Sequence, residues 1–588
     1  MDEEKTNQQT DPQNKTQAVE PLPEQTPEPH PPQSVTMQKS RWHRFRNWYT
    51  ARKKWTIPAT VVLLLLILAA IPWSRYQAAG LVVKKDSTIE ILDSTSRSPV
   101  SGATVSADSV NSQTDGDGRA TLRLSAGRHT LLISKKYYEE HRANVLVPIL
   151  GQKSTPAIEV DATGRQVKII VKNLISQKML GDVDIKVADI TAKTDKNGEA
   201  IVVLPVGTDE QKATLGLGGY NSSEVTVKIS STEVLENSFT LTPAGKVYFL
   251  SKRTGKLNIM KSSLDGSGAK VVVAATGKER DYDTVLLPSP DWKYVALLAR
   301  RTTTYPTPQL YILSTEDDEL LGVDNGDADY SLVGWSGDNL IYTVIRSDLP
   351  EWRTGRDKLK NYNAGTGKIT LLNQNSAAGD SITSAYEYYT FVMISGEDVF
   401  YAKNWTLVYD EESGYPESLV DGKKHTLSVI SAAGRGYKQI ASYEINLELQ
   451  YSRHSPTGFY IWQHFDEEKF YDYTVGTDAP KSVSIDSDEF YDAYKTFYVS
   501  PSGKKALWAE ARDGKFTIFV GDASGLNAKT IASLDEYDVY GWFNEDYILV
   551  TKDGTELYVM SVGGLPTGQA GGKPVKITDF QPTTPTTY

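Results

Sequence analysis

Short strands that recur through the last part of the chain limit its fold more than any other feature. From Lys246 onward, segments rich in aromatic and β-branched residues return about every 40–55 residues, and a second and then a third strand often follow. The repeats begin at Val247–Leu250, Tyr294–Leu298, Leu340–Val344, Val399–Ala402, Phe459–Trp462, Lys505–Ala509 and Tyr547–Thr551. This spacing predicts a β-propeller over residues 245–588. Seven blades are favoured, and six or eight remain alternatives.

The turns between these strands share a local pattern. Four of them read Ser289-Pro290-Asp291-Trp292-Lys293, Ser336-Gly337-Asp338, Ser455-Pro456-Thr457-Gly458 and Ser500-Pro501-Ser502-Gly503-Lys504. Proline presets the turn, and Asp or Gly accepts its unusual backbone angles. The pattern resembles the Ser-Pro-Asp-Gly turn of the TolB-like family and of the prolyl oligopeptidase and dipeptidyl peptidase IV propellers. That resemblance implies a propeller fold.

An internal repeat lies upstream, at an offset of about 80 residues. Thr114-Asp115-Gly116-Asp117-Gly118 corresponds to Thr194-Asp195-Lys196-Asn197-Gly198, and alternating apolar residues follow both copies. Alternation with Asp and Gly turns predicts two small antiparallel β-sandwich modules, residues 83–160 and 164–243. Asp115 and Asp117 lack EF-hand spacing, so they predict a hairpin turn rather than a calcium loop.

The first copy also resembles a known module. Its Pro99-Val100-Ser101-Gly102-Ala103 stretch, its Asp/Gly turn and Tyr137-Tyr138 resemble the carboxypeptidase regulatory-like, or transthyretin-like, module. The second copy is degenerate, with Leu180-Gly181-Asp182-Val183 at the first of these sites. The resemblance implies an accessory β-sandwich, and it does not by itself carry a function.

The N-terminal part of the chain differs in composition from the β-rich remainder. Residues 1–38 are rich in Pro, Gln and Thr without aromatics, which predicts a disordered tail. Residues 39–55 form a basic belt with no acidic residue, and residues 56–74 predict a transmembrane helix with Trp55 and Trp73 as interface anchors. The belt before the helix predicts an uncleaved signal anchor. The expected location is a bacterial cell membrane, crossed once, with a cytoplasmic N-terminus and extracellular C-terminal domains.

The composition argues against some classes of binding partner and some kinds of catalytic or metal site. The formal net charge is −11 and no cysteine is present, which argues against nucleic acid as a partner and against disulfides or a Cys nucleophile. A Gly-x-Ser-x-Gly elbow and a His-x-x-x-His zinc motif are both missing from the sequence. The expected protein is therefore not an enzyme and has no metal or other cofactor. Its expected partners are the lipid bilayer, through residues 56–74, and an extracellular protein or glycan.

Long loops predict where the propeller binds. The second and third strands are joined by long segments in the second to fourth units, at 300–309, 346–358 and 403–425, and such loops on one rim are often functional. Their hot-spot residue types are the candidate ligand-binding residues Tyr305, Trp352, Arg353, Trp405, Tyr409 and Tyr415. We expect a propeller head that binds without catalysis. The alternatives are a hydrolase or lyase acting on an extracellular polymer, and a structural envelope component.

Overall fold

The computed structural model describes one helical segment near the N-terminus and most of the chain from Lys84 to Asp579. Described are residues 48, 53–70, 84–149, 155–205, 207–230, 233–382, 384–406, 408–409, 416–418, 422–444, 449–464, 468–512, 515–534, 537–563 and 573–579. The predicted tail, residues 1–38, lies outside them, as do Trp73 and nearly all of the basic belt. The chain divides into residues 1–82 and residues 83–588.

The N-terminal helix corrects the prediction of a transmembrane helix at residues 56–74. Helix α1 (Lys53–Ala70) begins with two lysines and contains Pro58. Its uninterrupted aliphatic run, residues 61–70, rises roughly 15 Å, about half the thickness of a bilayer core. Within the described part of the chain, no helix combines the length and the apolar character that a membrane crossing needs. Trp55, expected at a membrane interface, is 82% exposed on this helix.

In the first β-sandwich module, two mainly antiparallel sheets pack face to face around one hydrophobic core. Its sheets have the strand orders β4-β1-β7 and β3-β2-β5-β6, and alternate side chains of the strands are buried between them. The strands are β1 (Lys84–Asp93), β2 (Thr104–Ala107), β3 (Val110–Gln113), β4 (Arg119–Ser125), β5 (Gly127–Ser134), β6 (His141–Val147) and β7 (Ala157–Val160).

The second module repeats this topology strand for strand. Its sheets have the orders β11-β8-β14 and β10-β9-β12-β13. The strands are β8 (Arg165–Asn173), β9 (Asp184–Val187), β10 (Ile190–Lys193), β11 (Glu199–Leu204), β12 (Glu210–Gly216), β13 (Ser223–Lys228) and β14 (Leu235–Leu241).

The repeated Asp turns are hairpin turns in both modules. The Oδ1 of Asp115 accepts the backbone N–H groups of Asp117 and Arg119, at 3.0 and 2.8 Å. Asp195 accepts those of Asn197 and Glu199 in the same way, at 2.9 Å each. The carboxylates therefore stabilise the turn backbone, as the spacing of the motif predicts.

Among the described residues from Val247 onward, seven sheets of three or four strands follow one another and form the propeller. The first three blades contain β15 (Val247–Ser251), β16 (Asn258–Ser262) and β17 (Lys270–Val273); β18 (Val285–Pro288), β19 (Tyr294–Ala299), β20 (Gln309–Ser314) and β21 (Leu320–Asp324); and β22 (Ala328–Ser336), β23 (Asn339–Arg346), β24 (Asp357–Asn363) and β25 (Lys368–Gln374).

Blades 4 and 5 each add a small element to the four-stranded pattern. Blade 4 carries a short hairpin, β28 and β29, between its second and third strands, and helix α2 (Ser487–Asp492) follows blade 5. Their strands are β26 (Glu387–Ser395), β27 (Asp398–Trp405), β28 (Val408–Tyr409), β29 (Pro416–Ser418), β30 (Lys424–Ser431) and β31 (Lys438–Glu444), then β32 (Leu449–Ser455), β33 (Gly458–Gln463), β34 (Lys469–Thr474) and β35 (Lys481–Val483).

Blades 6 and 7 complete the ring. They contain β36 (Tyr498–Val499), β37 (Lys505–Arg512), β38 (Lys515–Asp522) and β39 (Lys529–Leu534), then β40 (Tyr537–Trp542), β41 (Tyr547–Lys552), β42 (Glu556–Ser561) and β43 (Val575–Asp579). Neighbouring strands within each of these sheets are antiparallel.

The ring closes at blade 1, which has three described strands where the other blades have four. Blades 7 and 2 meet beside it, since the Trp292 indole N–H donates to the backbone carbonyl of Trp542 at 3.1 Å. The Trp292 ring also lies 5.8 Å from that of Phe543. Trp292 has a φ of 59°, a left-handed angle at the position where the related turn motif has Gly. The sequence also predicts that the first unit takes a strand from the segment after Phe580, and this segment lies outside the described residues.

Candidate functional site

A cavity of about 690 Å³ lies along the centre of the propeller. The first strands of six blades line it: β18, β22, β26, β32, β36 and β40. None of the described strands of blade 1 reaches its wall. Its volume falls within the range of about 300–1,000 Å³ that is usual for pockets that hold small organic ligands.

The cavity wall is mainly apolar and aromatic. Its aromatic residues include Trp335, Phe391, Tyr451, Phe497, Tyr540 and Trp542. Phe391 and Tyr451 stack at a centroid distance of 4.8 Å, which joins the first strands of blades 4 and 5. Rings of this kind give a ligand a large contact area at a low cost in side-chain entropy.

Charged groups are sparse on this wall. Arg453, Lys495 and Glu397 are the charged side chains among the lining residues that the structure describes. Lys495 is engaged with Glu510, with 2.9 Å between Nζ and Oε1. Burial lowers the pKa of Arg453 to about 10, because its cationic form loses hydration.

Three polar atoms of lining residues are buried without a hydrogen bond to any described group. They are the Oγ1 of Thr390, the hydroxyl of Tyr451 and the Nε of Arg453. Burial raises the pKa of Tyr451 well above its ordinary value, so that hydroxyl stays protonated. Buried polar atoms nearly always have partners, so three unpaired ones on two neighbouring strands mark this part of the wall as unusual.

The turns between the first and second strands also reach the cavity. Ser289-Pro290 in blade 2, Ser336-Gly337 in blade 3 and 500–503 in blade 6 are among the lining residues. These turns carry the motif that reveals the propeller in the sequence. In an antiparallel blade they lie at the opposite end of the second strand from the long loops that were predicted to bind.

The predicted ligand-binding residues have varied surroundings. Trp405 is buried, 5% exposed, with Lys423 Nζ 4.8 Å from its ring centroid. Tyr305 and Trp352 are half-buried, and Arg353 is exposed. Tyr409 lies in β28, but its side chain is outside the described residues, as is Tyr415. These positions are absent from the described cavity lining.

Two of the three long loops are linked to each other. The hydroxyl of Tyr386 donates to Glu351 of the blade 3 loop at 2.9 Å. The backbone N–H of Thr406, at the start of the blade 4 loop, donates to the Tyr386 carbonyl at 2.9 Å. Tyr386 therefore joins these loops on one face of the propeller.

The residue types that bind metals do not converge on a common point. Over the residues that the structure describes, no group of three His, Asp or Glu side chains is placed to hold a metal ion.

The fold and the cavity define this molecule as a β-propeller protein with two β-sandwich modules before the propeller. No family model matches the chain. Structural protein 27 of a virus (isolate Australia/Victoria) is 27% identical over 144 residues, which are 24% of this chain. The chain covers 28% of the length of that viral protein.

Solved structures with a similar fold are also propellers. A prolyl endopeptidase structure is 14% identical and covers 56% of this chain and 48% of its own, with a TM-score of 0.33. TolB from Acinetobacter baumannii is 13% identical and covers 55% of this chain and 80% of its own, with a TM-score of 0.25. At these identities and scores the likeness carries no inference about activity. The resemblance of the two modules to carboxypeptidase regulatory-like domains stays a prediction.

The cavity escapes prediction from the sequence for an identifiable reason. The second strands of the blades are strongly apolar, so they dominate the hydropathy pattern of the sequence. The long loops, by contrast, are predicted as sites of function because of their length. The cavity wall takes only a few residues from each first strand, so no single strand pattern displays it. A signal is nevertheless present, since Arg453 lies inside a strand pattern two residues before Ser455-Pro456. A cation at such a position is unusual unless it has a partner.

Proposed function

We propose that the propeller is a recognition domain that binds a small, largely apolar ligand in its central cavity and acts by binding rather than by catalysis. The observation that carries this proposal is the cavity of about 690 Å³ with its ring of aromatic side chains. A ligand of matching size would bury much of its surface against these aromatic rings.

The experiment is a titration with phenylnaphthylamine, a neutral aromatic dye whose fluorescence rises in apolar surroundings. We expect saturable binding to the full chain. Thr390→Phe places a larger side chain at the cavity wall without removing a described hydrogen bond of that hydroxyl, so it should weaken dye binding at least about tenfold.

Thr530→Phe is the matched control, because Thr530 is exposed on the outermost strand of blade 6. It should leave dye affinity unchanged, and a melting curve of each variant checks that it is folded at the temperature of the titration. Equal binding by parent and Thr390→Phe, or no saturable binding at all, contradicts the proposal. A glycan and peptide array read for cleavage as well as retention tests the hydrolase or lyase alternative.

A second candidate function is that of a structural component of an envelope or particle. It is favoured by the similarity to a viral protein that is named as structural, together with the hydrogen bonds that join successive domains through Asp93 and Asn173. Chemical cross-linking of intact envelopes or particles tests it. Cross-links between copies of this chain in a regular stoichiometry support a structural role, and recovery of uncross-linked chains alone contradicts it.

A further inference from the structure

Arg453 is a charged residue of the propeller for which the structure describes no acidic partner. It lies in β32, the first strand of blade 5, and forms part of the cavity wall. One guanidinium nitrogen, Nη2, donates to the Pro456 carbonyl at 3.1 Å, and the guanidinium lies 5.6 Å from the centroid of the Phe497 ring. Its Nε is buried and has no hydrogen-bond acceptor among the described residues.

Other sequestered cations of the propeller have acidic partners. Lys403 pairs with Glu387 at 2.6 Å, and their side chains are 11% and 9% exposed. Lys261 pairs with Asp318, also at 2.6 Å. For Arg453, no described carboxylate is placed to act as such a partner. Withdrawing a cation from water without an acidic partner is unfavourable, so this arrangement favours a negatively charged partner.

The surroundings of Arg453 would strengthen such a pairing. The aromatic rings of Phe497 and Tyr451 line the cavity together with Arg453, and an ion pair gains strength in a region of low polarity. Lys495 adds a positive charge that Glu510 offsets, and Glu397 is the one acidic group among the described lining residues. The guanidinium also presents its donors in a planar fork that matches the oxygens of a carboxylate, sulfonate or phosphate.

We propose that Arg453 is an anion-recognition residue, and that the ligand of the central cavity carries one acidic oxygen group that pairs with its guanidinium while the apolar remainder contacts the aromatic wall. This inference rests on the proposed function, because it specifies the chemistry of the ligand that the cavity binds.

The test compares two dyes that share an aromatic skeleton. Anilinonaphthalene sulfonate carries an anionic group, and phenylnaphthylamine does not. In the parent protein the anionic dye should bind more tightly, and Arg453→Gln should reduce the ratio of the two affinities at least about tenfold, the effect of losing a charge-assisted hydrogen bond. Arg453→Lys keeps the charge and should retain part of the preference.

A matched control is Arg280→Gln, since Arg280 is exposed and lies away from the described cavity lining. It should leave the affinity ratio unchanged. A second measurement needs no variant and so does not depend on folding of Arg453→Gln. Inorganic phosphate should displace the anionic dye from the parent protein and leave the neutral dye bound.

The outcomes separate the two proposals. If neither dye loses affinity in Thr390→Phe, the cavity is not the binding site and the proposed function fails. If both dyes bind in the cavity but Arg453→Gln leaves their ratio unchanged, or phosphate displaces both equally, the anion inference is overturned and the cavity remains a binding site for neutral ligands.

Discussion

Asp93 and Asn173 occupy the same position in the two β-sandwich modules, and each side chain forms a hydrogen bond with the domain that follows. The Oδ1 of each accepts backbone N–H groups of the next turn, from Thr95 and Ser96 in module 1 and from Ile175 and Ser176 in module 2. The remaining polar atom of each side chain reaches the next domain.

The two joints differ in their partners. Asp93 Oδ2 accepts a hydrogen bond from Gln166 of the second module at 2.8 Å. Asn173 Nδ2 donates to the Tyr547 hydroxyl of propeller blade 7 at 2.7 Å. Both side chains are buried, 0% and 2% exposed. One position of the repeated module therefore serves as a joint between domains twice, with a carboxylate in one copy and an amide in the other.

The first prediction concerns the hydrogen bond between Asn173 and Tyr547. Tyr547→Phe removes the hydrogen bond to Asn173 but keeps the ring, and it should lower the free energy of unfolding by about 1 kcal/mol. Asn173→Ala also removes the bonds within the turn and the hydrogen bond from Nδ2 to the Tyr220 hydroxyl, at 2.9 Å, and should cost about 2–4 kcal/mol. Urea unfolding of the full chain gives both values. Equal costs for the two variants would show that the turn bonds contribute nothing measurable.

The contact that closes the ring makes the second prediction. Trp292→Phe keeps an aromatic ring near Phe543 and loses the hydrogen bond to the Trp542 carbonyl. Because that carbonyl would remain buried without its indole partner, we expect a loss of about 1–3 kcal/mol. Hydrogen exchange should show faster opening of blades 7 and 2 than of blade 4. Uniform acceleration across all blades would argue against a local closure.

Two tryptophans of the long loops should respond differently to truncation. Trp405 is buried, so Trp405→Ala should cost about 3–5 kcal/mol of stability. Trp352 is half-buried in an exposed loop, and Trp352→Ala should cost less than about 1 kcal/mol. Thermal and urea unfolding measure the difference. Any binding role of the long loops is therefore best assayed with Trp352→Ala. Equal losses of stability in both variants would contradict the difference in burial between the two tryptophans.

The fourth prediction concerns pH. Burial lowers the pKa of Lys135 in module 1 to about 8, from an ordinary value of 10.5. Between these values the unfolded chain binds more protons than the folded one, so this lysine makes stability rise as pH increases from about 8 towards 10. At lower pH it imposes a constant cost, because it is protonated in both states.

Lys135→Met removes the titrating group and retains much of the apolar stem. Module 1 of the variant should lack this rise, which a comparison of unfolding midpoints for parent and variant between about pH 7 and pH 9.5 measures. Lys136→Met is a suitable control, since Lys136 lies next in the chain and has an exposed ion pair with Asp189. Identical pH profiles for the parent and Lys135→Met would contradict the prediction.

The sequence by itself determined the parts of this protein that depend on local chemistry. Alternating apolar residues predict the strands because one face of each must be buried, and Asp115 and Asp195 predict turns because a carboxylate can bond its own following backbone. The repeat and the Ser-Pro turns then indicate two sandwiches and a propeller. Local hydropathy is misleading at residues 56–74, where an apolar run predicts a transmembrane helix and none of the described helices has the length and apolar character to cross a membrane.

The tertiary structure alone decided which distant residues meet. Trp292 and Trp542 close the ring although some 250 residues separate them along the chain. The cavity wall is assembled from six blades, so no single stretch of sequence displays it. The lack of a described acidic partner for Arg453 likewise depends on what other blades place around its guanidinium. Contacts between blades are set by the packing of whole sheets, and no periodicity within one strand encodes them.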